Sequence, residues 1–319
     1  MQKTRYITSE LIRTMQDTIA KPVQLIINPH SAGGKTATRV HAILRLLEER
    51  GIAFTPHFTE RRGHAQELVA AFDGTVETIV AVGGDGTINE IINAAAGKDI
   101  VLGVIPSGTG NDFARLLGLR DSEAGVASIA ARTERLLDTA LIRIETGSGR
   151  SIHRRFINTM GIGFDAAVAY RVSRKAFGAG VLPYLFAVFQ ELRSFSSVRA
   201  SLTADGDTRD TTLFLATVGN GTTSGGGFIL SPLAVPDDGI LDLCLVRDVG
   251  ILRVLSVLPK TFRGAHLDAP EVLYVRSKEF GIRLSSPMPV HADGELIAED
   301  ALALSVSVDP ASARVLVAP

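Results

Sequence analysis

The stretch "TIVAVGGDGTINEIINAAA", residues 78 to 96, decides how this chain folds. Residues 78 to 82 read as a short buried strand, Gly83, Gly84 and Gly86 crowd around Asp85, and Ile88, Ile91 and Ile92 then recur at helical spacing. Glycines let backbone amides approach a phosphate closely, and a helix N-terminus adds positive partial charge. An aspartate in such a turn repels phosphate unless a cation lies between them, which points to Mg²⁺. An Asp-Gly turn capping a helix would use the same residues.

The pattern recurs on either side. "VLGVIPSGTGNDFARLLGL" (101–119) is a strand, a glycine-rich loop through Ser107, Gly108, Thr109 and Gly110, and a helix opened by Asn111 and Asp112. Earlier, the apolar "VQLII" (23–27) leads through "NPHSAGGKT" (28–36) into a helix whose Val40, Ile43, Leu44 and Leu47 share a face, with Gly51 as its stop. Gly33, Gly34, Lys35 and Thr36 imitate the end of a Walker P-loop. That motif needs a glycine where Pro29 stands, and proline has no amide hydrogen to offer phosphate. The turn reads as phosphate-facing without being a P-loop, and an ordinary strand-to-helix loop explains its glycines as well.

Strands near 23–27, 53–58, 77–82 and 101–105, each followed by a helical pattern, predict a parallel sheet covered by helices. Open sheets of this kind bind ligands beyond the carboxyl ends of their strands. After about residue 135 the period changes to two. In "LALSVSVD" (302–309), Leu302, Leu304, Val306 and Val308 fall on one face, as in antiparallel β structure. Helical interruptions are expected near 164–193 and 250–262. The fold class is therefore α/β plus all-β, with an α/β domain over 22–135, a β-rich domain over 136–310, and an extension over 1–21.

Composition narrows the function. The 319 residues carry 33 Lys plus Arg against 34 Asp plus Glu, which argues against DNA or RNA as a partner. The single cysteine, Cys244 in "LDLCLV", reads as a buried apolar residue and fits a reducing compartment. The first 21 residues lack a secretory signal's apolar core, and "AFGAGVLPYLFAVFQEL" (176–192) is too short and too broken by Gly178, Gly180 and Pro183 to span a bilayer. Tyr170, Arg171, Arg174 and Lys175 precede that run, a mixture that suits lipid headgroups or an ordinary packed helix. "GIGFDA" (161–166) fits a dinucleotide fingerprint, but no acidic residue follows about 20 positions on to hold a ribose, so a close-packed turn is the better reading.

"NPHSAGGK", "VGGDGTINE" and "PSGTGNDFAR", continued by "NTMGIGFDAAV" (158–168), "PLAVPDDGILDL" (232–243) and "HADGE" (291–295), resemble the diacylglycerol kinase catalytic-domain family of bacterial lipid, sphingosine and ceramide kinases. The resemblance covers nearly all of 22–319. It implies an N-terminal NAD-kinase-like α/β nucleotide-binding domain, a C-terminal antiparallel β-sandwich, a cleft between them, and a chain end, about 311–319, that returns to the first domain.

By the same resemblance, Asn28, Pro29, His30, Ser31, Ala32 and Gly33, with Thr59, Gly83, Gly84, Asp85, Gly86, Thr87, Ile88, Asn89 and Thr109, match nucleotide-contacting positions for ATP. Glu295 matches the base that activates the substrate hydroxyl, whereas the residues alone favour a hairpin turn with two solvated acids, Asp293 and Glu295. Asp85 and Asp112 are candidates to organise Mg²⁺. A second, structural Mg²⁺ is implied in "VPDDGI" (235–240), through the Asp238 side chain and the Val235 and Ile240 carbonyls, unless that turn is metal-free. The implied activity is ATP- and Mg²⁺-dependent phosphorylation of a hydroxyl on diacylglycerol or a related lipid. A cytoplasmic enzyme in peripheral membrane contact follows, with 176–192 at the acyl-chain entrance and a homodimer left open. A kinase of the same superfold acting on NAD or a sugar phosphate, and a non-catalytic nucleotide- or lipid-binding regulator, are the rivals.

Overall fold

The computed structural model of the chain describes residues 21–174, 188–193 and 195–319. Strands β1 (Val23–Ile27), β2 (Phe54–Phe58), β3 (Thr78–Gly83) and β4 (Val101–Pro106) run parallel in the order β2-β1-β3-β4. Leu25, Ile26, Ile27, Ile79, Val80, Val82 and Ile105 are fully buried, as continuous apolar strands must be when helices cover both faces of a parallel sheet. Each such aliphatic side chain contributes about 1.5–3 kcal/mol by leaving water.

The covering helices are α1 (Lys35–Glu49), α2 (His64–Ala71), α3 (Asp85–Ala95), the single turn α4 (Asp112–Leu116) and α5 (Ser122–Ala131). Helix α1 buries Thr36, Val40, Ile43 and Leu47, with Leu44 packed beside them. It ends at Gly51, whose φ of +66° is a conformation that glycine adopts freely.

Beyond residue 133 the chain is mainly antiparallel. Strands β5 (Glu134–Thr146), β6 (Ser151–Phe156) and β7 (Thr159–Gly163) precede helix α6 (Phe164–Arg174). Then come β8 (Val198–Ala204), β9 (Asp207–Leu213), β10 (Leu215–Gly219), the small hairpin of β11 (Thr223–Ser224) and β12 (Phe228–Ile229), β13 (Leu241–Val246), helix α7 (Ile251–Thr261), β14 (Val272–Ser277), β15 (Glu279–Ala292) and β16 (Glu295–Leu316). A separate core forms from Ile142, Ile144, Phe156, Ile162, Phe280, Val290 and Val306. In "LALSVSVD", Leu304 and Val306 are buried and Val308 packs at the core's edge, while Ser305 is exposed.

Strand β16 ties the two cores together. It pairs antiparallel with β15 and β5, and its last residues run parallel to β4 through the pairs Arg314–Val101 and Val315–Leu102. Among the described residues, fourteen strands therefore form one hydrogen-bonded network.

"GIGFDA" departs from the expected turn. Strand β7 runs straight into α6 at the Gly163–Phe164 junction, where Gly163 has φ +91° and an added Cβ would lie 2.6 Å from the Phe214 carbonyl. Of the apolar run 176–192, only 188–192 lies within the described residues; Val188 and Leu192 are buried against Phe164 and Phe214. Arg171 pairs with Glu191 at 2.5 Å, so that arginine serves the fold. Lys175 and residues 1–20 lie outside the described residues. No described helix is long and apolar enough to cross a membrane.

Candidate active site

The parallel strands deliver four loops to one edge. The loop after β1 is tied to β3 by the Asn28 amide, which donates to the Val82 carbonyl at 2.9 Å, and to α3 by Asn28 Nδ2, which donates to Thr87 Oγ1 at 3.0 Å. Ser107, after β4, donates its amide to the Gly83 carbonyl at 2.9 Å, and Thr36 Oγ1 donates to the Ser107 carbonyl at 2.9 Å. The Thr59 amide bonds the Ile27 carbonyl at 2.8 Å. Ala32, Gly33 and Gly34 all have positive φ, so the first loop curls tightly before α1 starts. Two glycine loops touch backbone to backbone: a Cβ on Gly84 would stand 3.0 Å from Gly108 Cα.

Asp85 does not cap its own helix. Its Oδ1 accepts from the Phe113 amide at 3.0 Å and its Oδ2 from the Asp112 amide at 3.2 Å, so it caps α4 from a neighbouring loop. Asp112 in turn takes Arg115 at 2.6 Å and the Gly226 amide, from the β11–β12 hairpin, at 2.8 Å. Burial, with the charge of Asp112 adding to it, pushes the Asp85 carboxyl up to about 6 against the pull of its two amide donors.

A Cβ added to Gly110 would lie 3.0 Å from Asp85 Oδ2 and 3.7 Å from Asp112 Oδ2, so two carboxylates converge over a glycine that leaves the space open. Two converging carboxylates are hard oxygen donors of the kind Mg²⁺ takes, one or two at a time with water and phosphate completing the shell, although Arg115 already pairs with Asp112. Among the described residues, no group of three or more His, Cys, Asp or Glu side chains is assembled for a metal.

Glu295 enters from β16 across the cleft. Its Oε2 accepts from Arg62 at 3.0 Å and lies 3.7 Å from Arg154; its Oε1 faces Gly86, where an added Cβ would sit 2.8 Å away. Burial raises the Glu295 pKa, and the two arginines oppose that. Together Asn28, His30, Thr59, Arg62, Gly86 and Thr87 line, with Glu295, a cleft of about 410 Å³.

Asp293 is not the solvated turn acid that the residues alone suggested. It is buried, takes the amides of Ile157, Asn158 and Thr159 and Nδ2 of Asn89, and so fixes the turn at Gly294 that aims Glu295. Asn89 is thus a bridge between the two cores, and Asn93 adds to it by bonding the Arg155 backbone twice, at 2.9 Å each. Ile88 puts its side chain into the core and its amide on the Gly84 carbonyl, leaving neither for a ligand. Thr109 is exposed at the loop tip, away from the 410 Å³ cleft. Pro29, Ser31, Ala32 and Gly33 belong to the same loop, but of its residues it is Asn28 and His30 that line the cleft.

The loop 235–240 is held by hydrogen bonds and ion pairs. Asp238 bonds the Ile240 amide at 3.0 Å and pairs with Arg276, Asp237 pairs with Arg135 at 2.7 Å, and Asp138 holds the Pro236 carbonyl and Gly239 amide at 2.7 Å each. Two other residues escaped the sequence reading. Glu90 accepts from the Gly63 and Ala65 amides at 2.7 and 3.0 Å and so anchors the start of α2, and Arg62 reaches Glu295 from the loop before it.

An α/β layer with glycine loops at its strand ends, facing a β-sandwich that supplies a half-buried carboxylate, defines a kinase of the kind that phosphorylates hydroxyl groups. Residues 22–144 match the diacylglycerol kinase catalytic domain and residues 158–317 the YegS C-terminal NAD kinase beta sandwich-like domain. A diacylglycerol kinase of Mycobacterium tuberculosis is 30% identical over 299 residues, spanning 92% of this chain and 94% of that one. One of Bacillus subtilis is 30% identical over 284 residues, 86% and 90% of the two chains. A crystal structure of a diacylglycerol kinase from Bacillus anthracis str. Sterne shares the fold with a TM-score of 0.70 at 24% identity, covering 95% of this chain and 98% of that one. The chain belongs to the diacylglycerol kinase family, and it is a kinase acting on a lipid hydroxyl.

Proposed function

We propose that the protein transfers the γ-phosphoryl group of ATP, with Mg²⁺, to a hydroxyl of diacylglycerol or a related lipid. The observation that carries this reading is the asymmetry of Glu295, whose Oε2 is held by arginine while Oε1 faces the glycine loop at Gly86. A hydroxyl that enters the cleft beside Oε1 would meet its base and a loop-bound phosphate together.

Oε1 takes the hydroxyl proton. The hydroxyl oxygen bonds to the γ-phosphorus as the bond from that phosphorus to the β,γ-bridging oxygen breaks, and the electron pair leaves on ADP. Little covalent work falls to the protein, so position and charge dominate. Asp85 and Asp112 would hold Mg²⁺ over Gly110, where its chemistry is to neutralise phosphate charge. The loop amides around Gly84, Gly86 and Gly108 orient the polyphosphate, with the N-terminus of α3 behind them.

A lipid acceptor requires peripheral contact with a bilayer. Helix α7 supports that mode: Leu252 is 84% exposed, with Ile251, Leu255 and Phe262 exposed near it, while Val254 and Leu258 pack inward. Phe262 rests on Phe228 with ring centroids 4.5 Å apart, and Phe228 belongs to the hairpin whose Gly226 bonds Asp112.

The test is transfer of labelled γ-phosphate from ATP, with Mg²⁺, in mixed micelles of diacylglycerol, monoacylglycerol, phosphatidylglycerol, sphingosine or ceramide, beside NAD and fructose 6-phosphate in solution. Label on a lipid supports the reading and names the acceptor. Label on a soluble acceptor alone overturns it, and no label with intact nucleotide binding favours a regulator.

A further inference from the structure

We propose that Arg62 is a phosphate-responsive latch on the catalytic carboxylate, pairing with Glu295 Oε2 when the cleft is empty and moving to the terminal phosphates of a bound nucleoside triphosphate. The inference rests on the reading of Glu295 as the base.

Its geometry differs from that of the second arginine. Arg154 comes from β6, is largely buried, has its Nε enclosed without a partner, and lies 3.7 Å from Oε2. Arg62 comes from the opposite core, on the loop between β2 and α2, and its side chain is 68% exposed although its Nη2 is 3.0 Å from Oε2. The backbone beside it is fixed, because Glu90 holds the amides of Gly63 and Ala65. A fixed root and a solvated guanidinium make a side chain that can swing without moving the loop.

Arg62 lines the same cleft as Asn28, Thr59, Gly86 and Thr87. A polyphosphate in that cleft carries more negative charge than one carboxylate, and guanidinium binds phosphate oxygens in forked pairs. The charged groups acting on Glu295 are Arg62 from the loop before α2, Arg154 from β6 and Glu90 from α3. Departure of Arg62 removes the nearer positive partner and leaves a stronger base only when phosphate is in place. An empty cleft keeps the carboxylate latched.

Calorimetric titration of ATP, AMP and inorganic tripolyphosphate into wild type, Arg62→Ala, Arg62→Lys, Glu295→Gln and the Arg62→Ala/Glu295→Gln double variant tests this without relying on turnover. Arg62→Ala should weaken ATP and tripolyphosphate about tenfold and AMP hardly at all, with Arg62→Lys between. Measured below neutral pH in buffers of different ionisation enthalpy, wild type should take up more protons on binding ATP than Arg62→Ala, because only wild type releases Glu295 from Arg62. That difference should vanish in the Glu295→Gln background. Equal proton uptake in wild type and Arg62→Ala, or equal losses for ATP and AMP, overturns the latch while leaving the kinase reading intact. Failure of wild type to bind ATP overturns both.

Discussion

Gly84 and Gly108 meet backbone to backbone, so that a Cβ on Gly84 would stand 3.0 Å from Gly108 Cα. Two loops from adjacent parallel strands, β3 and β4, are thereby pressed into one surface, with the Ser107 amide bonded to the Gly83 carbonyl at 2.9 Å to set their spacing. Neither glycine has positive φ, so it is the close approach and not the backbone conformation that requires them.

Gly108→Ala should therefore separate the loops while leaving the fold largely intact. Displacing reacting groups by about 1 Å can cost on the order of 10²-fold in rate, and a loss of that order is expected in phosphate transfer with near-native circular dichroism. Wild-type transfer in Gly108→Ala would show that the contact is dispensable.

Glu295→Gln keeps the shape of the side chain and removes the proton acceptor. Transfer should fall about 10²- to 10⁴-fold. ATP affinity should be unchanged or tighter, since Arg62 loses its carboxylate partner. Burial raises the Glu295 pKa, so the acid limb of wild-type kcat/KM should lie above the ordinary glutamate range, activity being lost as pH falls through it. An acid limb at or below pH 4, or wild-type rates in Glu295→Gln, would remove Glu295 from the base role.

Asp85→Asn retains an acceptor for one of the two α4 amides and halves the carboxylate charge over Gly110. The expected outcome is a large rise in the Mg²⁺ concentration needed for half-maximal transfer, with helix content unchanged. An unaltered Mg²⁺ titration would place the cation elsewhere.

Asn89→Ala removes one of four donors from the buried Asp293 carboxylate. A buried acceptor deprived of a partner costs about 1–3 kcal/mol, which urea unfolding should register as a lower midpoint. Transfer should fall as well, because the same turn aims Glu295. Unchanged stability would mean that water replaces the amide.

Cys244 is sealed in β13 beside His266, at 3.5 Å from its Nε2, and burial pushes the thiol up to about 12. A thiol reagent at pH 8 should therefore leave the native protein unlabelled and react fully once it is unfolded. Rapid native labelling would show that β13 opens readily.

Local pattern carried most of the architecture. Apolar runs flanked by glycine located β1 to β4 within a residue or so, and the 3.6-residue period found the buried face of α1, because both signals are written within a few neighbouring positions. The motif "GGDGTINE" marked the junction of β3 and α3, and its position at a strand end followed from the strand itself.

What local pattern could not carry was the set of partners for each charge. Asp85 was read as facing a cation, and the fold also makes it the cap of α4; Asp293 looked solvated and is enclosed by the amides of 157 to 159; Asp238, a cation ligand by resemblance, pairs with Arg276. In each case the partner is remote in sequence or belongs to another element, so only the tertiary fold could bring it near.

Sequence by itself determined the strands, the helices, the glycine loops and the family, since these depend on short-range periodicity and backbone freedom. Only the tertiary structure decided that Oε1 of Glu295 faces Gly86 while Arg62 and Arg154, from two different cores, hold Oε2. The physical reason is that electrostatics and hydrogen bonding act through space, over a few ångströms, between residues as far apart in the chain as 62 and 295.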